Sequence, residues 1–249
     1  MELFLLVLAG FIIGTCGTLI GAGGGFILVP LLLLFYPDLP PETVTAISMA
    51  VVAANAISGS AAYAKSGKID YKAGVIFALF TIPGSILGVF TVQYIPKASF
   101  NIIFGVLLLA LSVFLFFKKQ SEKKLVQDDD SQQKGLKHRK LIDKMGTVYQ
   151  YSYNQRNGII ISIVVGYMSP LLGIGGGIIH VPAMVNWLHF PVYIATATSH
   201  FILAVMSTVT VIVQAINGTY NDPTVLKMVI CLAAGVIPGA QLGAYFSHR

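Results

Sequence analysis

Gly14-Thr15-Cys16-Gly17-Thr18-Leu19-Ile20-Gly21-Ala22-Gly23-Gly24-Gly25-Phe26-Ile27-Leu28-Val29-Pro30 aligns without a gap to Gly166-Tyr167-Met168-Ser169-Pro170-Leu171-Leu172-Gly173-Ile174-Gly175-Gly176-Gly177-Ile178-Ile179-His180-Val181-Pro182. The correspondence continues. Thr45-Ala46-Ile47-Ser48 recurs as Thr196-Ala197-Thr198-Ser199, and Ile82-Pro83-Gly84-Ser85-Ile86-Leu87-Gly88 recurs as Ile237-Pro238-Gly239-Ala240-Gln241-Leu242-Gly243. Three blocks in one order at nearly constant offset indicate a duplicated half. Each glycine costs a helix about 1 kcal/mol relative to alanine, so Gly21–Gly25 and Gly173–Gly177 are expected to unwind the helices that contain them.

The rest of the chain shows where such breaks would lie. Of its 249 residues 55% are hydrophobic, mean hydropathy is +0.78, and only 16 basic and 10 acidic residues are present. A soluble domain carries about 25% charge, so a water-soluble enzyme is excluded as the simple reading. Ten basic residues fall between Lys118 and Arg156, which makes a basic loop rather than a face able to track nucleic-acid phosphates. Cys16 and Cys231 lie in apolar runs and suit neither a disulfide framework nor a metal site. A membrane core needs roughly 20 apolar residues per helix. Seven segments qualify as candidates: Leu3–Leu34, Thr43–Ala64, Ala73–Tyr94, Phe100–Phe117, Gly158–Leu188, Tyr193–Ile216 and Lys227–Phe246. The expected fold is therefore an all-α integral membrane protein with two homologous repeats, a glycine-broken first helix in each.

The corresponding divisions are a first repeat over 1–117, a basic linker over 118–157 and a second repeat over 158–249. Lys65, Lys68 and Lys72 fall on the same side as the basic linker, and this side is assigned to the cytoplasm of a cell membrane. The linker mixes Lys, Gln and Ser with Asp128-Asp129-Asp130, which reads as a solvated, mobile connection. Phe100–Phe117 has no counterpart before Arg249, so the second repeat reads as lacking its last helix. As one straight helix, Leu3–Leu34 would run roughly 48 Å, beyond the hydrocarbon thickness. It must tilt, break or turn back. A single crossing gives parallel repeats, and a turn back gives inverted ones.

Paired halves of this kind are most often secondary transporters, with the substrate held near the midplane. Unwound backbone survives in a membrane only where protein buries it or a polar cavity adjoins it, and the exposed N–H groups of a broken helix suit an anion. Close helix packing through small residues is the competing explanation, preferred for Gly84/Gly88 and Gly239/Gly243. No Asp, Glu or Arg lies inside a span, so a cation is disfavoured and an anion would be held by backbone and neutral donors. The candidates are Gly23, Gly24, Gly25, Gly175, Gly176 and Gly177 with Ser48, Asn55, Ser199 and His200. Ser58, Ser207 and Thr208 are further donors, and His180 and His200 are candidates for proton coupling. Ala56-Ile57-Ser58-Gly59 superficially matches an intramembrane protease serine with His200 as its base, a reading weakened because Ser58 aligns with Val209. No metal-ligand spacing and no cofactor motif is found.

The doubled Gly-x-Gly-Gly-Gly-(x)4-Pro element, Thr-Ala-x-Ser and Ile-Pro-Gly-x-x-Leu-Gly together resemble the TauE/SafE sulfite exporter family, also called toluenesulfonate uptake permeases. The similarity covers Gly10–Phe117 and Gly158–Phe246. The resemblance implies a multi-pass inner-membrane permease for sulfite, sulfonates or related organic anions. Carried over by position, it implies pore lining by Gly23–Gly25, Gly175–Gly177, Ser48 and Ser199. Family members usually end in an eighth span, so the resemblance too makes the chain look one helix short. The expected partners are a small anionic substrate and the lipid bilayer, with no nucleic acid; a coupling proton or ion and a homo-oligomeric state stay open. An anion channel is the alternative, followed by a scaffold protein.

Overall fold

The computed structural model describes residues 2–117 and 136–247. Nine helices are found among them: α1 (Glu2–Ile20), α2 (Gly25–Phe35), α3 (Pro41–Ser66), α4 (Tyr71–Val92), α5 (Lys97–Phe117), α6 (Gln155–Leu172), α7 (Gly177–Asn186), α8 (Val192–Ile216) and α9 (Pro223–Ser247). Five are long and apolar enough to cross a membrane: α1, α3, α4, α8 and α9. Their outward faces carry Leu79, Leu87, Ile212 and Ile230, each more than half exposed, as a lipid-facing surface should.

The long first segment of each half is broken at its glycines. α1 stops at Ile20, and α2 begins at Gly25 after left-handed Gly21, Gly23 and Gly24 (φ +80°, +77° and +85°). The second half repeats this conformation, with φ of +69°, +73° and +49° at Gly173, Gly175 and Gly176 between α6 and α7. A left-handed residue other than glycine costs about 1–2 kcal/mol, which accounts for glycine at these positions. The chain then turns back. Thr18 near the end of α1 lies beside Asn55 of α3, Gly25 at the start of α2 lies beside Ser48, and α2 runs on to Phe35, close to the start of α3.

Close backbone contacts fix the direction of the helices. Gly235, Gly239 and Gly243 of α9 abut Val7, Phe11 and Thr15 of α1 in that order, so α1 and α9 run the same way. Gly84 and Gly88 of α4 abut Ile163 and Tyr167 of α6, again in parallel. A Cβ on Gly84 would lie 2.6 Å from the Ile163 carbonyl, so these glycines serve helix packing. Pro83 and Pro238 sit inside α4 and α9. α3 and α8 are antiparallel: Tyr63 shares a cluster with Ala197, Gly59 meets His200, and Ala46 lies near Tyr220, beyond the end of α8. Taken together with the short turns, these contacts make α6, α8 and α9 run opposite to α1, α3 and α4 respectively.

The segment between α5 and α6 differs from the expected solvated linker. Residues 118–135, with Asp128-Asp129-Asp130, lie outside the described residues. β1 (Leu136–Ile142) and β2 (Val148–Asn154) form an antiparallel hairpin, from Leu136 opposite Asn154 to Ile142 opposite Val148. Among the described residues the helical fold therefore carries one small sheet. The hairpin turn is held by Asp143, whose Oδ1 accepts from the N–H groups of Met145 and Thr147, both at 2.9 Å. Alternation along β2 aims Tyr151 and Tyr153 at the helices, where both pack on Phe190 with ring centroids 4.6 Å and 5.0 Å away. The composition suggested solvation because it averages the charges of β1 with the tyrosines of β2, and does not show that Arg139 turns inward with Tyr151 to meet buried Asp70.

Candidate functional site

The two glycine breaks meet each other. Gly25 packs on the carbonyl of Gly173, and Gly177 packs on the carbonyl of Gly21, a reciprocal contact between halves. Between these contacts Gly23 and Gly175 face one another, with Val52 of α3 against both and Leu203 of α8 against Gly23. A Cβ on Gly23 would lie 2.6 Å from Leu203 Cδ2 and 3.1 Å from Val52 Cγ1; one on Gly175 would lie 2.9 Å from Val52 and 3.2 Å from the Ala22 carbonyl. Val52 and Leu203 occupy equivalent places in the two sequence copies and close the crossing with apolar side chains, alongside Met49, Ala56 and Met206.

Polar side chains gather around this crossing. Ser48 donates to the Gly173 carbonyl at 2.6 Å, which ties the first half to the second break. Thr18 donates to Asn55 Oδ1 at 2.7 Å, and Tyr63 donates to the Thr18 carbonyl at 2.9 Å. His200 lies against Gly59, 5.5 Å in an edge arrangement from Tyr63. Among the described residues, Asn55 Nδ2, Ser199 Oγ and both ring nitrogens of His200 are buried without a hydrogen-bond partner. A buried polar group left unpaired costs roughly 1–3 kcal/mol, so this cluster stores unused hydrogen-bonding capacity beside the first break. Ser169 Oγ, next to Gly176, adds a further unpaired hydroxyl at the second break.

His180 stands apart from that cluster. It lies on α7 with Nε2 3.5 Å from Ser162 Oγ and its ring edge-on to Phe77. The structure thus brings Gly23, Gly25, Gly175, Gly177 and Ser48 together across the two breaks, whereas Gly24 meets Ile13 and Gly176 meets Val165 and Ser169 of their own halves; Asn55 is tied to Thr18, Ser199 and His200 are buried on α8, and His180 lies in a separate group. Ser58 is turned to α9, donating to the Ile237 carbonyl at 2.9 Å and accepting from Gln241, and not to the His200 ring that the protease reading paired with it. Ser207 and Thr208 bond the carbonyls of Leu203 and Ala204 in their own helix. No group of three or more potential metal ligands occurs among the described residues.

Three contributions were not read from the sequence. Thr18 sits inside the repeated motif as a helix-end hydroxyl, and that position was a usable signal. Val52 and Leu203 were visible as equivalent positions in the two copies, but apolar residues in an apolar span carry no mark of function. Asp70 could not be placed. It caps α4 through the N–H groups of Lys72 and Ala73, accepts from Tyr151 Oη at 2.6 Å, and pairs with Arg139 of the hairpin. Burial pushes its pKa up, yet the hydrogen bonds from Arg139, Tyr151 and Ala73 outweigh that and hold the carboxyl below its usual range.

A multi-pass helical membrane protein with facing helix breaks is a transport architecture, and the comparisons agree with it. The sulfite exporter TauE/SafE family model matches residues 6–249, and the chain belongs to that family. It is 33% identical over 255 residues to the "Probable membrane transporter protein YunE" of Bacillus subtilis, covering all of this chain and 90% of that protein. A probable membrane transporter protein of Methanocaldococcus jannaschii is 27% identical over 98% of this chain and 86% of its own length. One from Xylella fastidiosa is 23% identical over all of this chain and 86% of its own length. No solved structure matches.

Proposed function

We propose that this transporter moves a small anion, of the sulfite or sulfonate type, through the crossing of its two glycine breaks by alternating access of two inverted repeats. The observation that carries this reading is the reciprocal packing of Gly25 on Gly173 and Gly177 on Gly21, with Gly23 facing Gly175 between them. Broken helices present backbone N–H groups and the positive ends of helix dipoles, which attract an anion without a buried cation. Asn55, Ser199 and His200 supply the neutral or protonatable donors, and their unpaired atoms would gain partners from oxyanion oxygens. In this reading Val52 and Leu203 are the constriction that must part, since Val52 lies against both glycine segments and Leu203 against Gly23. His200 is the better placed of the two histidines to couple a proton, because it lies beside the crossing while His180 lies against Ser162 and Phe77. Positive-inside bias puts the Lys65–Lys72 turn and the hairpin in the cytoplasm, leaving the depression of about 510 Å³ bounded by Glu42, Gln93 and Asn217 on the outer face. The family name supplies sulfite as the first substrate to try.

The test uses purified protein in proteoliposomes, with sulfite, sulfate and an arylsulfonate offered under proton and sodium gradients. Saturable flux that accumulates one anion against its own gradient is expected. Flux that never saturates would replace the carrier with a channel, and no flux of any anion under either gradient would sink the proposal. Ser48→Ala is expected to weaken ligand-induced thermal stabilisation through loosening of Gly173. Ser199→Ala should do so by removing a free donor, each by about tenfold in apparent affinity for the loss of one hydrogen bond of about 1.5 kcal/mol. Unchanged ligand shifts in both variants would remove these serines from the site.

A further inference from the structure

A second polar site lies away from the glycine crossing. A cavity of about 230 Å³ opens where the hairpin meets the starts of α4 and α6, bounded by Lys72, Ile76, Lys137, Arg139, Tyr153 and Gln155. Lys137 and Arg139 alternate along β1 onto the same face as their partners Tyr153 and Tyr151, and Lys72 stands in the first turn of α4. His138 also borders the cavity, but its ring nitrogen is 2.7 Å from Ser152 Oγ on the other face of the hairpin.

The charge here is not balanced. Arg139 is committed to Asp70 through two nitrogens, while Lys72 and Lys137 form no ion pair among the described residues. α4 and α6 run in parallel and both begin at this cavity, with their first N–H groups capped by Asp70 and Asn154, so the charge left to a ligand is that of Lys72 and Lys137. Two unpaired lysines at one cavity suit a group with several anionic oxygens.

The surroundings select the form in which that group arrives. Below Lys72, one and two turns along α4, come Ile76 and Phe80, and Ile163 of α6 borders the same seam. Phe80 is 40% exposed and Ile163 43%, so an apolar strip open to lipid leads directly down from the basic cavity. We propose that this cavity holds the phosphate of an anionic phospholipid, its headgroup between Lys72 and Lys137 and an acyl chain along the α4–α6 seam. Basic pockets between membrane helices are suited to such headgroups, and a soluble phosphate ester would gain nothing from the apolar strip. The site is independent of the anion-transport reading, because none of its residues touches the glycine crossing.

The experiment follows melting of the full-length protein in detergent, and lipid adducts by native mass spectrometry, as dioleoylphosphatidylglycerol or dioleoylphosphatidylcholine is added at equal mole fraction. A stabilisation and a retained adduct specific to phosphatidylglycerol are expected. In Lys72→Gln/Lys137→Gln the half-saturating mole fraction should rise roughly tenfold or more, since each lysine near an anionic lipid surface contributes about fivefold. Lys72→Arg/Lys137→Arg should retain binding. Lys97→Gln/Lys227→Gln, which removes the same charge from the opposite end of the helices, should leave it unchanged. Equal effects of the two lipids, or a phosphatidylglycerol effect that survives Lys72→Gln/Lys137→Gln, would overturn the site. A glycerol 3-phosphate shift of the same size, lost in that variant, would overturn the lipid and leave a site for soluble phosphate esters.

Discussion

Gly23→Ala is expected to abolish anion flux in proteoliposomes while leaving the protein folded enough to purify. Two costs combine at this position. The backbone has φ +77°, where alanine is disfavoured by about 1–2 kcal/mol. The new methyl would lie 2.6 Å from Leu203 Cδ2, and overpacking of this kind costs about 1–3 kcal/mol. The sum, roughly 2–5 kcal/mol, falls on the segment that must rearrange if Val52 and Leu203 are to part. Leu203→Ala in the same chain removes the 2.6 Å clash but neither the 3.1 Å approach to Val52 Cγ1 nor the backbone strain, so the double variant should recover part of the lost melting temperature and some flux. Gly105→Ala is the matched comparison: nothing lies within 4 Å of a Cβ there, and its helix should gain slightly. Normal flux in Gly23→Ala would remove the crossing from the transport path, whatever happened to stability.

The sequence made the breaks legible because glycine has a strong and local effect on a helix. Four glycines in five positions unwind a helix wherever they lie, and the repeat identified the two places that matter. The turn back of the first segment was one of three options, since the N-terminal residues carry no Lys or Arg to orient them. Contacts of its two arms with α3, Thr18 with Asn55 and Gly25 with Ser48, show the turn back, and no local pattern in the sequence predicts those pairings. The donors were legible as a set because polar residues are scarce in the spans, but their roles were not. Ser58, Ser207 and Thr208 bond carbonyls, whereas Asn55 and His200 keep atoms unpaired, and that distinction depends on which way each helix faces. The hairpin was illegible for a different reason. Its core consists of Tyr151, Tyr153 and Phe190, and the last lies on another connection, so no window of sequence contains the apolar partner that orders it.

Arg139→Ala is expected to be the most destabilising single change outside the spans. Asp70 is 1% exposed and holds three roles: cap of α4, acceptor for Tyr151, and, through its backbone N–H, a donor to Thr198 Oγ1 at 3.0 Å in α8. The hairpin therefore joins the turn between α3 and α4 to the second half, and the N–H of Lys144 adds a bond to the Ser66 carbonyl at 3.1 Å. Removing the guanidinium leaves a buried carboxylate with neutral donors only. A fully buried pair would lose about 3–5 kcal/mol, and the partial exposure of Arg139 reduces that to roughly 2–3 kcal/mol, a fall of about 5 °C or more in melting temperature. Tyr151→Phe, which removes one hydrogen bond to the same carboxylate, should cost about 1–2 kcal/mol. The pH dependence separates the charge from simple packing. A carboxyl whose pKa is depressed by folding contributes stability that is present above its unfolded value of about 3.9 and is lost as pH falls through the folded value. Wild-type melting should therefore hold from pH 7 to about 4 and decline only in stronger acid. Without Arg139 the main opponent of burial is gone, the Asp70 carboxyl rises toward or above its unfolded range, and the stability it contributed shrinks or changes sign. The gap between the two melting curves should be widest near pH 7 and close as the medium becomes acid enough to protonate Asp70 in both proteins. A constant gap across pH 3–7 would assign the loss to side-chain packing alone, and no gap at all would mean that the hairpin does not brace the helices.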